Sequence, residues 1–149
     1  MLQLNFPSYD VKLRQNDSQQ EIFDPVRRKF VVLTPEEWVR QHLIAYLFHH
    51  KSVPLKMIGV EKQLFIHRQL KRFDLVVFSR QAVPLLLAEC KAPQVEITEK
   101  VFDQAARYNL HLKAHYFLIT NGLDHYSCRL DYVSQKYFFT AEIPDYHSL

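Results

Sequence analysis

Phe73-Asp74-Leu75-Val76-Val77-Phe78, a polar link from Ser79 to Val83, and Pro84-Leu85-Leu86-Leu87-Ala88-Glu89-Cys90-Lys91 form the stretch that decides the fold. Each apolar run is short and bounded by polar residues, the pattern of a buried strand. Side chains alternate along a strand, so Glu89 and Lys91 share a face while Cys90 points the other way. Folding the chain back at 79–83 sets Asp74 opposite Glu89. The three charged groups then converge at the open end of a β-hairpin.

That convergence suits phosphodiester chemistry. Magnesium takes hard oxygen ligands, commonly one or two carboxylates, and keeps waters that can face a phosphate. Asp74 and Glu89 supply the carboxylates, and the backbone carbonyl of Cys90 adds an oxygen. A metal-held water is a far better nucleophile near neutral pH, and the metal offsets charge growing on the phosphoryl oxygens. Lys91 would orient the water or stabilise the phosphate. A plainer account stays open: a structural ion pair, Glu89 with Lys91 or Asp74 with Arg72, closing two strands.

Asp74 followed by Glu89-Cys90-Lys91 resembles the PD-(D/E)XK nuclease signature, and Glu-Cys-Lys-Ala-Pro at 89–93 is similar to the form in the N-terminal nuclease domain of type I restriction enzyme R subunits. Thr34-Pro35-Glu36-Glu37-Trp38-Val39-Arg40-Gln41 resembles that family's opening helix, whose acidic residue joins the metal site. Gln104 and Tyr108 match its Gln-x-x-x-Tyr motif, and Ile119-Thr120-Asn121-Gly122 with His125-Tyr126 is similar to small bacterial members. The resemblance runs from about residue 34 to the C-terminus. It implies a nuclease that acts on DNA with Mg2+, for which Mn2+ can substitute. One departure is Phe73, where the family usually has proline; proline ligates nothing, so the ligand set is untouched.

The resemblance leaves the helix acid open between Glu36 and Glu37. With Val39, Leu43, Tyr46 and Leu47 as the apolar face, Glu36 lies nearer its centre and is the first choice to assist through water. Either residue also suits a helix N-terminus electrostatically. Further on, Thr98 is an N-cap for a helix with Val101, Phe102, Ala105 and Ala106 in its apolar stripe. Gln104 and Tyr108, four apart, share one face of it. In the resembled family that face looks onto the catalytic centre.

Around this core the order reads as a helix near 35–50, strands near 60–66, 73–78 and 84–91, a helix near 98–111 and a strand at 116–120. That is an α/β, restriction-endonuclease-like αβββαβ core: a mixed central sheet flanked by helices. Residues 1–33 form an N-terminal extension packed on the core, with 15–20 as a loop and Phe30 to Leu33 as a short strand. A C-terminal hairpin near 126–131 and 136–141 extends the sheet. The division is thus 1–33 and a nuclease domain at 34–149, within a single domain overall.

The 149 residues are 48% hydrophobic and 13% aromatic, which suffices for one core. No run approaches the roughly 20 apolar residues of a membrane span, and the start lacks the pattern of a secretion signal, so a cytoplasmic location is expected. Cys90 and Cys128 read as reduced thiols. The net charge of +3 is mild, but His67, Arg68, Lys71 and Arg72 cluster in the connection before Asp74. Arg68, Lys71 and Arg72 there are candidates to hold a phosphate backbone, and a solvated turn explains the cluster equally.

With glycine only at 59 and 122, no phosphate-binding loop or dinucleotide fingerprint is possible. Any translocation would come from a separate motor or specificity subunit, and a homo-oligomer stays open. His111, His115, His125 and Cys128 offer a rival zinc site. No Gly-x-Ser-x-Gly elbow frames a serine nucleophile. The sequence therefore points to a Mg2+-dependent nuclease hydrolysing DNA phosphodiester bonds. The alternative is a catalytically inactive nucleic-acid-binding or assembly module of the same fold.

Overall fold

Thr34 starts the first long helix: its hydroxyl accepts the Glu37 N–H at 3.0 Å, and Pro35 occupies the first turn, where its missing N–H costs nothing. In the computed structural model, which describes residues 1–66 and 68–149, this helix α1 spans Pro35–His50. His67 of the basic cluster lies outside the described residues, as does the side chain of His111. Thr98 caps the second helix, α2 (Glu99–Asn109), by accepting the Val101 N–H at 3.2 Å. No described helix is long and apolar enough to cross a membrane.

Three strands precede α1: β1 (Leu13–Asn16), β2 (Gln19–Asp24) and β3 (Lys29–Val32), paired antiparallel in that order. The residues expected as a loop at 15–20 thus lie mostly in a hairpin. Asn16 pairs with Gln19 across a tight turn in which Asp17 takes φ +48°, a conformation that aspartate tolerates. Leu13 to Asn16 are all exposed, so no apolar periodicity marks this strand.

The main sheet has the order β4 (Ile58–Ile66), β5 (Gln69–Phe78), β6 (Pro84–Cys90), β7 (Tyr116–Thr120), β8 (His125–Asp131), β9 (Lys136–Thr140). Only β6 and β7 run parallel, and α2 is the crossover between them. The αβββαβ order and the closing hairpin match the expectation. Lys71 and Arg72, however, belong to β5, which pairs with β4 as far as Gln69 opposite Ile66; the charged residues at 71 and 72 interrupt its apolar pattern.

The sheet separates two cores. Leu75, Val77, Leu86, Ala88, Cys90 and Leu118 pack against Val39, Leu43, Ile44 and Leu47 of α1. Val76, Leu87, Phe117, Ile119, Cys128 and Leu130 pack against Phe102, Ala106 and Leu110 on the α2 side. The contrast of Leu86, Ala88 and Cys90 with Leu87 is strand alternation, and it puts Glu89 on the α2 face. Burial of these runs on both faces is the main stabilisation, at roughly 25 cal/mol per Å² of apolar surface.

Candidate active site

The β5–β6 ladder ends at Leu75 opposite Ala88, so the next positions are Asp74 and Glu89. Asp74 continues the ladder with its side chain: Oδ2 accepts the Cys90 N–H at 2.9 Å. Strand alternation slips here, because Phe73 and Val76 both face α2 while Leu75 and Val77 face α1. A second irregularity lies across the sheet. Val60 pairs with Leu75 and Lys62 with Phe73, and between them Glu61, facing Asp74 in register, takes φ +51°. Such a conformation in a non-glycine residue costs on the order of 1–3 kcal/mol. Asp74 itself turns towards α1.

There Asp74 Oδ1 accepts from Arg40 Nη2 at 3.2 Å. Arg40, 4% exposed, also donates from Nη1 to Glu37 Oε2 at 2.7 Å. Glu37 Oε1 accepts from Gln41 at 2.9 Å and from Arg27 Nη2 at 2.7 Å. Arg27 is anchored in turn by the fully buried Asp24, whose Oδ2 lies 2.5 Å from its Nε. Glu61 completes the cluster: it forms an ion pair with Arg72 Nη2 at 2.7 Å, accepts from Arg27 Nη1 at 3.3 Å, and lies 3.6 Å from Arg40. Buried charges of this kind persist only when paired and hydrogen-bonded.

Glu89 and Lys91 border this network from the other face of β6. Their side chains keep 35% and 39% of their surface, and Asp74 keeps 33%, so all three are reachable from solvent. Lys91 Nζ stands 3.8 Å from Glu89 Oε2, a loose pairing. Burial holds the Glu89 carboxyl above its usual range; Lys91 pulls it down and the negative charge of Asp74 pushes it up again. Burial and Asp74 also drive the Cys90 thiol up, and that thiol lies deep in the α1 core.

The structure therefore brings Asp74, Glu89 and Lys91 to one strand end, with Cys90 contributing backbone. Lys91 N–H bonds Thr120 O at 2.8 Å, so alternation turns the Cys90 N–H and C=O away from β7, towards Asp74. Of the ion pairs expected as the plainer account, Arg72 binds Glu61 and not Asp74. Among the described residues no three His, Cys, Asp or Glu side chains gather as metal ligands. A cation at this strand end would rest on two carboxylates and a backbone oxygen, a donor set suited to magnesium with its retained waters.

Glu36 is exposed, while Glu37 turns inward with Arg40, Gln41 and Ile44. Glu36 still lies close enough for its charge to act on Cys90. Gln104 and Tyr108 are exposed on α2, and neither hydrogen-bonds Lys91 among the described residues. Instead the Lys71 ammonium sits 3.8 Å above the Tyr108 ring. Arg68, at φ +62°, forms the β4–β5 turn. Among the described residues the rival zinc set does not gather: both His125 ring nitrogens are engaged, with Thr120 Oγ1 at 2.7 Å and Asn5 O at 2.8 Å, and Cys128 is fully buried.

Sequence reasoning missed Asp24, Arg27, Arg40 and Glu61. A signal existed for part of this set: Glu37, Arg40, Gln41 and Ile44 recur at i, i+3, i+4 and i+7, a helical face carrying polar side chains into the core. Nothing in the residues near Arg27 marks it as a partner of that face.

The model of the family described as Type I restriction enzyme R protein N terminus (HSDR_N) matches residues 35–144. Among solved structures, the chain is similar to one assigned as a fragment of an HsdR subunit of a type I restriction enzyme from Vibrio vulnificus YJ016. The TM-score is 0.50 at 18% identity, over 76% of this chain and 24% of that one, a likeness of fold. No curated protein matches the chain.

Proposed function

The chain belongs to the type I restriction enzyme R protein N-terminal family, and from that premise we propose that it is a nuclease that hydrolyses DNA phosphodiester bonds with Mg2+. The observation that carries this reading is the pair of solvent-reachable carboxylates, Asp74 and Glu89, at one strand end, near enough for the charge of Asp74 to act on Glu89, with Lys91 alongside. Two like charges in mutual repulsion are relieved by a cation between them.

Asp74, Glu89 and the Cys90 carbonyl would hold the ion. Bound there, magnesium would make a coordinated water a stronger nucleophile and offset phosphoryl charge. Asp74 is held for this task by Arg40 and by the Cys90 N–H. Lys91, on the Glu89 face, presents its ammonium to a phosphate oxygen or to the attacking water. Glu36 would assist through water from the rim, and Gln104 and Tyr108 would contact the substrate from α2. Arg68 and Lys71 would meet the DNA backbone. The chain spans 24% of that Vibrio chain, and a motor or specificity subunit would be a partner in this reading.

The test is cleavage of supercoiled plasmid and of labelled single-stranded DNA, with Mg2+, Mn2+ or chelator. Metal-dependent cutting that disappears in Lys91→Ala is the expected result. Folded protein that binds DNA yet never cuts would replace this reading with a binding or assembly module.

A further inference from the structure

We propose that the N-terminal sheet is a working part of this site: Arg27, in the β2–β3 turn, is a positioning residue that sets Asp74 through Glu37 and Arg40. This assignment rests on the reading of Asp74 as a functional carboxylate. The family model begins at residue 35, so the segment carrying Arg27 lies outside the matched region.

Each link of the relay is a short, oriented contact. Asp24 Oδ1 accepts the backbone N–H groups of Val26 and Arg27 at 2.8 and 2.9 Å, which fixes the turn, and its Oδ2 fixes the Arg27 Nε. The remaining guanidinium nitrogens of Arg27 reach Glu37 at 2.7 Å and Glu61 at 3.3 Å. Glu37 then carries Arg27 on one oxygen and Arg40 on the other. Arg40 holds Asp74 through Nη2, while its buried Nε has no acceptor. Its orientation is therefore set by the carboxylates at its Nη atoms, Glu37 and Asp74 in hydrogen bonds and Glu61 at 3.6 Å. The planar fork of arginine suits this bridging, which the single point charge of lysine does not reproduce.

The arrangement also gives Glu37 a part distinct from that of Glu36. Glu37, with both oxygens engaged by arginines, acts on Asp74 through Arg40 and not as a direct ligand. A shift of the β2–β3 turn would pass by way of Glu37 to the carboxylate that ends the β5–β6 ladder.

Backbone hydrogen exchange at Cys90 tests the relay without metal or DNA, because its N–H is bonded to Asp74 Oδ2. In Arg27→Ala, Cys90 should exchange about tenfold faster while Leu86 and Leu87 amides keep wild-type rates. Arg27→Lys, the milder change should Arg27→Ala fail to fold, should fall between the two. Where the protein cuts DNA, Arg27→Ala should lower kcat with KM for DNA unchanged, since Arg27 does not touch substrate. Wild-type Cys90 exchange in both folded variants would overturn the relay whatever the cleavage assay gives. Failure of wild type to cut, with Cys90 exchange still responding to Arg27, would overturn the nuclease reading and leave the relay standing.

Discussion

Asp74 Oδ2 accepts the Cys90 N–H at 2.9 Å, so the side chain proposed to hold a cation also completes the backbone pairing of its own hairpin. The carboxylate cannot swing away without leaving a strand-end N–H unpaired, which restricts it before any ligand arrives. Preorganisation of this kind lowers the cost of gathering ligands.

Asp74→Ala should therefore damage both stability and metal binding. Removing the acceptor orphans the Cys90 N–H and takes one partner from Arg40, for a loss of about 2 kcal/mol. Denaturant unfolding reads that loss, and isothermal titration with Mg2+ or Mn2+ on the folded variant should show no binding. Wild-type metal affinity in Asp74→Ala would exclude Asp74 as a ligand.

Glu89 makes the pH dependence predictable in sign. Burial, then the opposing pull of Lys91 and the push of Asp74, leave its folded carboxyl above the ordinary range. The folded state then binds the proton more tightly than the unfolded state. Between the ordinary carboxylate midpoint and the raised one the folded form carries more protons, so this group's contribution to stability falls as pH rises. Glu89→Gln should flatten that part of a stability profile from thermal unfolding. A cation must displace the proton, so Mg2+ should bind better as pH rises through the same window. Parallel profiles for wild type and Glu89→Gln would contradict the assignment.

The two thiols offer a probe of the core beneath the site. Burial raises Cys128 to about 12 and drives Cys90 higher, and both are free and buried. Thiolates are the reactive species, so neither should react with iodoacetamide at neutral pH while the protein is folded. Labelling rates measured by mass spectrometry should follow unfolding, with Cys90 and Cys128 modified together. Rapid single labelling of Cys90 would mean that the strand end opens on its own.

Much of this architecture is local in the sequence, and that is what made it legible. Asp74 and Glu89 lie on adjacent strands of one hairpin, so two apolar runs and a link were enough to bring them to one strand end. Thr98 announces α2 because N-capping is a contact within four residues. The β1 strand was invisible because every residue in it is exposed. Glu61 could not be anticipated opposite Asp74, since its positive φ reflects pairing with a strand met later in the chain. Arg40 reaches Asp74, and Arg27 reaches Glu37 and Glu61, across separations of sequence that no spacing rule encodes.

Lys71 and Arg72 are neighbours in β5 but should contribute unequally to DNA binding. Arg72 is committed to Glu61 at 2.7 Å, whereas Lys71 rests over the face of Tyr108, itself 49% exposed. A cation over an exposed ring gains only about 0.5–1 kcal/mol, so Lys71 stays free to meet a phosphate. Lys71→Ala should weaken binding to a duplex of arbitrary sequence and lower the salt dependence of log K by about one. Arg72→Ala should do less to affinity and more to stability, since Glu61 loses its shortest partner. Fluorescence anisotropy across a salt series separates the two. Equal losses of affinity and slope for both variants would show that Arg72 leaves Glu61 when DNA binds.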